Sequence, residues 1–199
     1  MRAATTAGLV GLSIVLAACA GTSPGASPSD DSSPSMIPSA TVGTAEPIPT
    51  DALADFSCDL PVVESGTVAL ANITDVRVGS HPDYDRVVFE FADGLPETTL
   101  DRATPPFSHD ASGAPIDVAG SSFLRLTLRG GTKQTADGSS SYDGPTEFRP
   151  GLPSVVHLIE GGDFEAQSTW YLGLTSEACV RVLQLTDDGP ARLVFDIQH

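Results

Sequence analysis

The sequence predicts an all-β fold, a single β-sandwich domain of short and mostly antiparallel strands, preceded by an export signal and a disordered linker. Apolar residues between positions 58 and 199 alternate with period two, which is typical of strands that have one buried and one exposed face. Turns rich in glycine, proline and aspartate separate these runs. No segment shows the spacing of an amphipathic helix, so a sandwich or barrel is the expected architecture.

The first 18 residues have the pattern of a signal peptide. Arg2 is followed by an apolar run over residues 7–18, which is shorter than the roughly 20 helical residues that cross a bilayer. The run ends in Leu16-Ala17-Ala18-Cys19, which resembles the lipobox of bacterial lipoprotein signals. This resemblance implies a lipid anchor such as palmitate on Cys19, and a location on the outer face of the cytoplasmic membrane. An ordinary secretory signal is the alternative.

Residues 19–57 are the predicted lipidated N-terminus and linker. From Ala20 to Ser57 the chain holds six prolines, eight serines, five acidic residues and no Lys or Arg. Such a composition buries too little apolar surface to offset the roughly 1–2 kcal/mol per residue that backbone ordering costs. The sequence therefore predicts a disordered tether that holds the domain away from the membrane, either at a specific distance or simply as a spacer.

The folded domain is expected to cover residues 58–199. Arg125, Thr127 and Arg129 alternate with leucines and are expected on the exposed face of their strand. A short apolar run over residues 155–159 is consistent with a strand buried on both sides. Because Trp170 continues an alternating run, core packing is favoured for it over ligand stacking. The predicted core faces are Val87, Phe89 and Phe91; Leu124, Leu126 and Leu128; Trp170, Leu172 and Leu174; and Leu193, Phe195 and Ile197.

The cysteines predict one disulfide. Of the three cysteines, the predicted acylation of Cys19 leaves Cys58 and Cys179, an even number in an exported protein. A bridge between them closes a loop of 121 residues, which in the chain-entropy model stabilises the fold by about 4–5 kcal/mol. Two buried free thiols are the alternative.

Charge and motifs exclude several classes of function. The chain has 10 Lys and Arg against 26 Asp and Glu, and Lys133 is its only lysine, so it lacks the basic face that nucleic acids require. No G-x-S-x-G or H-E-x-x-H motif is present and the four histidines are scattered, so no catalytic, metal-binding or cofactor-binding residue is assigned. The turns that contain Asp83 and Asp110 are expected to be structural rather than calcium sites.

Three motifs make the domain recognisable. They are His81-Pro82-Asp83-Tyr84-Asp85-Arg86-Val87-Val88-Phe89-Glu90-Phe91, Gly162-Asp163-Phe164-Glu165 and Pro190-Ala191-Arg192-Leu193-Val194-Phe195-Asp196. Together they resemble the AMIN-like domain of actinobacterial lipoproteins, over about residues 68–198. The resemblance implies a non-catalytic β-sandwich related to the AMIN domain of periplasmic amidases and secretins, whose members are implicated in peptidoglycan binding.

The predicted ligand surface is the exposed face of the strand that carries Arg125, Thr127 and Arg129. Arginine forms paired hydrogen bonds with carboxylates, which the peptide stems of peptidoglycan carry. A nearby exposed aromatic ring, such as that of Tyr171, could stack on the sugars of peptidoglycan. A solvated strand whose arginines pair with neighbouring acids is the alternative.

Tyr84 is a further candidate for ligand contact. The segment 81–86 either displays the Tyr84 ring for binding or forms a turn in which Asp83 or Asp85 pairs with Arg86.

The expected partner is cell-wall polymer. An accessory or assembly subunit that binds an envelope protein is the alternative, and a small-molecule binding protein or enzyme is the third possibility. We expect a monomer that contacts the membrane through its lipid anchor alone.

Overall fold

The computed structural model describes residues 54–187 and 189–199, and these ranges contain strands but no helix. The predicted signal, Cys19 and most of the predicted linker lie outside the described residues. No helix that could cross a membrane occurs in the described ranges. The strands are β1 (Val62–Glu64), β2 (Ala71–Ser80), β3 (Tyr84–Phe91), β4 (Glu97–Ala103), β5 (Phe107–Ser108), β6 (Pro115–Ile116), β7 (Ser122–Arg129), β8 (Gly131–Thr132), β9 (Glu147–Phe148), β10 (Val155–Phe164), β11 (Gln167–Leu174), β12 (Val180–Leu185) and β13 (Ala191–Gln198).

Two packed sheets make up the domain, which confirms the predicted all-β fold. The larger sheet has six strands in the order β1-β4-β7-β11-β10-β9, and the smaller has five in the order β12-β13-β3-β2-β8. Strands pair antiparallel throughout the two sheets, except that β2 and β8 run parallel. A separate ribbon is formed by β5 and β6.

One hydrophobic core lies between the sheets, and all four predicted core faces contribute to it. Trp170 is fully buried there, with its ring edge-on to Phe89 at a centroid distance of 5.2 Å. Its indole nitrogen donates to Ser168 Oγ at 2.9 Å, so the polar end of the ring is also satisfied. Core packing of Trp170 is therefore confirmed.

The strand predicted at residues 155–159 extends to Phe164, and its burial differs in part from the prediction. Val155 and Leu158 reach the main core, whereas Val156 and Ile159 are only half-buried. His157 is fully buried although it is polar. Its Nδ1 accepts a hydrogen bond from the amide of Ala119 at 3.0 Å, and its Nε2 lies 3.1 Å from Glu147 Oε1. These two partners allow a polar ring inside an otherwise apolar run.

Residues 104–121, here called the cover segment, lie across part of the outer face of the six-stranded sheet. The segment includes β5 and β6 and buries Phe107, Ile116 and Val118 against Tyr171 in a second, smaller core. Gly173 permits this close approach, because a Cβ at that position would collide with the carbonyl oxygen of Ala119. The cover segment therefore divides the outer face into a closed half and an open half.

A disulfide joins Cys58 to Cys179, as predicted. Next to it, the backbone amides and carbonyls of Ser57 and Val180 exchange hydrogen bonds of 2.7 and 2.8 Å. Phe56 lies against the guanidinium of Arg181, whose Cζ is 4.5 Å from the ring centroid. Among the described residues, Phe56 and Ser57 therefore contact the sandwich, although both precede the expected start of the domain at Cys58.

The β10–β11 hairpin ends in a turn that the sequence did not reveal. Phe164 pairs with Gln167, so Glu165 and Ala166 are the two loop residues, and their φ angles are +51° and +56°. Positive φ at both positions is the requirement of a tight type I′ hairpin, which asparagine and glycine meet more easily than glutamate and alanine. Most of the turns predicted from glycine do have a glycine at positive φ, namely Gly94, Gly113, Gly130, Gly138 and Gly189, whereas Gly144 in the turn predicted at residues 143–145 does not.

Candidate binding surface

The first and third sequence motifs meet on the outer face of the five-stranded sheet. Arg86 on β3, Asp196 on β13 and Arg181 on β12 are direct neighbours in register. Arg86 donates to Asp196 through Nε at 2.6 Å and through a terminal nitrogen at 2.9 Å. Arg181 donates twice to the same carboxylate, at 2.9 and 2.6 Å. All three side chains are buried, so the motifs encode a structural network rather than an open site.

Tyr84 belongs to this network. Its ring centroid lies 5.1 Å from the Cζ of Arg86 and 5.1 Å from that of Arg181, and the ring stacks on His81 at 4.5 Å. Burial lowers the pKa of His81, and the nearby Arg86 lowers it further. Because β3 is in the five-stranded sheet and Arg125 is in the six-stranded sheet, the structure does not bring Tyr84 together with the predicted arginine surface.

The predicted pairing of Asp83 or Asp85 with Arg86 is wrong. Asp85 alternates with Arg86 along β3 and is fully buried on the opposite side of the strand. One of its oxygens accepts hydrogen bonds from the amides of Ser154 and Val155 at 2.7 and 2.8 Å, and the other lies 3.0 Å from His199 Nε2. The partner of Arg86 is Asp196, which is distant in sequence and adjacent only after the sheet forms.

The open half of the outer face of the six-stranded sheet carries the predicted arginines. We call it the open face. It has three rows of side chains that run across the strands, as the pairing of β4, β7, β11 and β10 shows. The rows are Glu97, Arg129, Gln167 and Phe164; Thr99, Thr127 and Thr169; and Asp101 with Arg125.

Both arginines of the open face have acidic neighbours. Arg125 donates to Asp101 at 2.8 Å, and Arg129 lies 3.4 Å from Glu97. The hydrogen bond to Asp101 raises the pKa of Arg125. The guanidinium side chains nevertheless stay 47% and 73% exposed. Exposed pairs of this kind contribute roughly 0–1 kcal/mol, so a ligand carboxylate can compete for the arginine donors at little energetic loss.

The middle row of the open face is uncharged. Thr99 and Thr127 are half-buried and Thr169 is buried, and the three are direct cross-strand neighbours. The three threonines therefore form a row of short polar side chains between the Arg129–Glu97 pair and the Arg125–Asp101 pair.

The expectation that Tyr171 is an exposed ring is wrong. The cover segment packs on it, with Phe107 at a ring-centroid distance of 4.8 Å, and only 8% of Tyr171 is exposed. Burial raises the pKa of its hydroxyl. Tyr171 therefore supports the cover segment and presents no face for stacking.

Phe164 is the exposed ring of the open face. It is 57% exposed, and its strand partner Gln167 is in turn the partner of Arg129. A large apolar side chain next to a two-residue turn has no opposing sheet to cover it, which explains its exposure. The motif Gly162-Asp163-Phe164-Glu165 contains this residue, but the sequence alone gives no sign that its ring is exposed, since the Glu165–Ala166 turn lacks the usual turn residues.

The model of the AMIN-like domain family matches residues 71–199, which is more than half of the chain. The chain belongs to the AMIN-like family. AMIN-like domains are non-catalytic binding domains found outside the cytoplasm, and in related proteins they are associated with binding to the cell wall. No curated protein and no solved structure matches this chain.

Several acidic residues of this AMIN-like domain make structural contacts. Within residues 54–187 and 189–199, no group of three or more His, Cys, Asp or Glu is arranged to hold a metal ion. Both oxygens of Asp163, for example, accept hydrogen bonds from β8 and its flank, from Thr132 Oγ1 at 2.8 Å and from the amide of Lys133 at 2.6 Å.

Proposed function

We propose that this protein is a membrane-anchored cell-envelope lipoprotein whose AMIN-like domain binds peptidoglycan through the open face. The observation that carries the proposal is the row of Arg129, Gln167 and exposed Phe164 beside the threonine row. This arrangement offers cations, hydroxyls and one aromatic ring on one face of a sheet. Membership in a family of non-catalytic binding domains associated with the cell wall supports the same function.

The chemistry of the polymer matches these side chains. Peptidoglycan consists of sugars, whose apolar faces stack on aromatic rings, and of peptide stems that carry carboxylates. Arg125 and Arg129 offer planar guanidinium groups that bind carboxylates through two parallel hydrogen bonds. Because the domain is strongly acidic overall, a face on which Arg125 and Arg129 balance Asp101 and Glu97 repels an anionic polymer less than its surroundings do.

The anchor belongs to the same proposal. Acylation at Cys19 would hold the chain at the outer face of the cytoplasmic membrane, and residues 20–57 would act as the tether. Two or more acyl chains give stable anchoring, since each buried methylene contributes about 0.8 kcal/mol. A proline-rich tether extends the domain away from the lipid and towards the wall. Mass spectrometry of the membrane-extracted protein and of a Cys19→Ser variant tests this part.

Co-sedimentation with purified sacculi tests wall binding. The oxidised chain from Ala20 to His199 is compared with Arg125→Ala/Arg129→Ala and with Phe164→Ser. We expect the double variant to lose most pelleting, and the Phe164 variant to bind about two- to tenfold more weakly, as the loss of one aromatic contact predicts. Arg77→Ala is the matched control, because Arg77 is a half-exposed arginine paired with Asp75 and Glu90 on the other sheet.

Two results would contradict the proposal. If the unmodified chain stays in the supernatant at low salt, peptidoglycan is not its direct ligand, and an envelope protein becomes the leading partner. If Arg77→Ala weakens pelleting as much as the open-face variants do, the interaction is a general charge effect rather than recognition by this surface.

A further inference from the structure

Hydrogen bonds fasten the cover segment to the six-stranded sheet at separate points. The amide of Asp110 donates to the carbonyl of Gly161 at 3.0 Å, and the amide of Ser121 donates to the carbonyl of Leu174 at 2.7 Å. The two strands of the segment, β5 and β6, pair with each other and not with a strand of either sheet. A surface segment that is tied down at points, rather than paired along its length, can open locally while the rest of the fold stays intact.

Between these points, a buried imidazole holds the segment. The amide of Ala119 donates to Nδ1 of His157 at 3.0 Å, and His157 is fully buried. Because a backbone amide can only donate, Nδ1 is the unprotonated nitrogen of the ring. The ring hydrogen is therefore on Nε2, which donates to Glu147 Oε1 at 3.1 Å. The neutral form of His157 is the one that accepts from the cover segment.

Protonation of His157 would remove this fastening. An imidazolium carries a hydrogen on each nitrogen, so Nδ1 would meet the Ala119 amide as a second donor. The charged groups around the ring are Glu147 on β9, Arg149 just after it, and Asp117 in the cover segment, whereas β11 faces it with a glycine. Burial lowers the pKa of His157 and Arg149 lowers it further, although both carboxylates favour the charged form. The closed segment therefore opposes protonation, and a solvated ring would return to a pKa of about 6.5.

The cover segment hides aromatic and apolar side chains that belong to the same outer face as the open face. In the row that begins with Asp101 and Arg125, the next two strands contribute Tyr171 and Ile159. The adjoining row contributes Phe123. The segment packs its own apolar side chains on these three residues. Release of the segment would therefore extend the open face by an aromatic and apolar area beside Arg125.

We propose that the cover segment is a pH-sensitive latch on the outer face of the six-stranded sheet. Protonation of His157 frees the amide of Ala119, residues 104–121 leave the sheet, and the ring of Tyr171 becomes accessible. Deprotonation restores the acceptor and closes the segment again. The latch operates without a ligand, so it stands independently of the proposed function. For that function it would set how much of the outer face a ligand can reach.

Hydrogen exchange of the oxidised chain from Ala20 to His199 tests the latch. Protection factors, which are corrected for the intrinsic pH dependence of exchange, are compared at about pH 7.5 and about pH 5. We expect those of residues 104–121 to fall about 10- to 30-fold at the lower pH. The reason is that an open ring with a pKa near 6.5 is mostly protonated there, whereas the closed ring resists protonation. Strands β3 and β13 should keep their protection.

Two histidine variants separate the latch from other effects of acid. His157→Asn keeps an oxygen that can accept from the Ala119 amide but does not titrate, so the segment should be equally protected at both pH values. His109→Asn is the matched control. Nδ1 of His109 lies 3.2 Å from the carbonyl of Gly161, which only accepts, so His109 donates there in both charge states. An asparagine amide also donates, and this variant should keep the full pH response.

The accessibility of the Tyr171 ring gives a second measurement. Photo-CIDNP NMR with a flavin dye detects tyrosine rings that the dye can reach, and Tyr171 is only 8% exposed in the closed segment. We expect a Tyr171 signal to appear at about pH 5 in the unmodified chain and in His109→Asn, but not in His157→Asn. The unmodified chain decides the test by itself if a variant does not fold.

The latch is overturned if residues 104–121 are protected equally at both pH values, or if protection falls as much in His157→Asn as in the unmodified chain. It is also overturned if β3 and β13 lose protection in parallel, because acid then unfolds the whole domain rather than the segment. An intact pH response in a chain that does not pellet with sacculi would contradict the proposed function and leave the latch in place.

Discussion

Arg86 and Asp196 lie 110 residues apart and face each other across β3 and β13, joined by two hydrogen bonds of 2.6 and 2.9 Å. Arg181 binds the same carboxylate from β12. One buried aspartate thus receives two guanidinium groups and links three strands. This explains why the motifs at residues 81–91 and 190–196 belong together.

Removing Asp196 should therefore be more damaging than removing one arginine. Asp196→Asn leaves two buried guanidinium groups without a counter-charge, and breaking a buried pair in this way costs roughly 3–5 kcal/mol. Arg86→Met leaves Asp196 paired with Arg181 and should cost clearly less. Urea unfolding of the oxidised chain measures both values. Equal losses in the two variants would mean that the three groups do not act as one network.

Stability should fall on acidification partly because of His157. Burial lowers the pKa of His157 below its usual 6.5, Arg149 lowers it further, and the hydrogen bond to Glu147 opposes the shift. The unfolded state therefore takes up a proton first, and stability is lost as the pH falls below about 6.5 towards the folded-state pKa. His157→Asn retains an oxygen that can accept from the Ala119 amide but does not titrate.

We expect the unfolding free energies of the unmodified chain and of the His157→Asn variant to diverge as the pH falls, with the larger decline in the unmodified chain. Urea titrations at several pH values between about 7.5 and 5 measure this difference, over the range in which a histidine changes its charge. His81 is present in both proteins, so its contribution cancels. Parallel declines would show that His157 does not titrate differently in the folded and unfolded states.

Gly173→Ala should displace the cover segment. The added Cβ would collide with the Ala119 carbonyl, which is backbone and has little freedom to move. We expect a loss of about 1–3 kcal/mol, as for other overpacked sites. Hydrogen exchange should rise in residues 104–121 and stay unchanged in β3 and β13. The exposed Ser121→Ala is the control, and full protection of the cover segment in the glycine variant would contradict this explanation.

The strands that form the core followed from the sequence because period-two alternation is a local property. Leu124, Leu126 and Leu128 point inwards and Arg125 and Arg129 point outwards whatever the order of strands in the sheet. The disulfide followed from counting cysteines in an exported chain. Family membership was recognisable from the motifs for the same reason, since each motif is a continuous strand or hairpin.

The residues of the proposed binding surface were less predictable because exposure depends on what packs over a strand. Alternation places Tyr171 on the outer face, and only the folded cover segment shows that this part of the face is closed. Phe164 is exposed because the turn after it is tight and nothing opposes it. Lys133 and Glu160 form an ion pair of 2.6 Å although they are 27 residues apart in sequence, and no local pattern predicts this contact.

What the sequence by itself determined is the period of each strand, the disulfide and the family, because all three depend on short spacings or simple counts. What the tertiary structure decided is which outward-facing residues meet. Tyr84 and Arg125 are on different sheets, Arg86 pairs with Asp196 rather than with its own neighbours, and Glu160 pairs with Lys133. The physical reason is that contacts across strands depend on sheet order and register, which arise only when distant segments pack together.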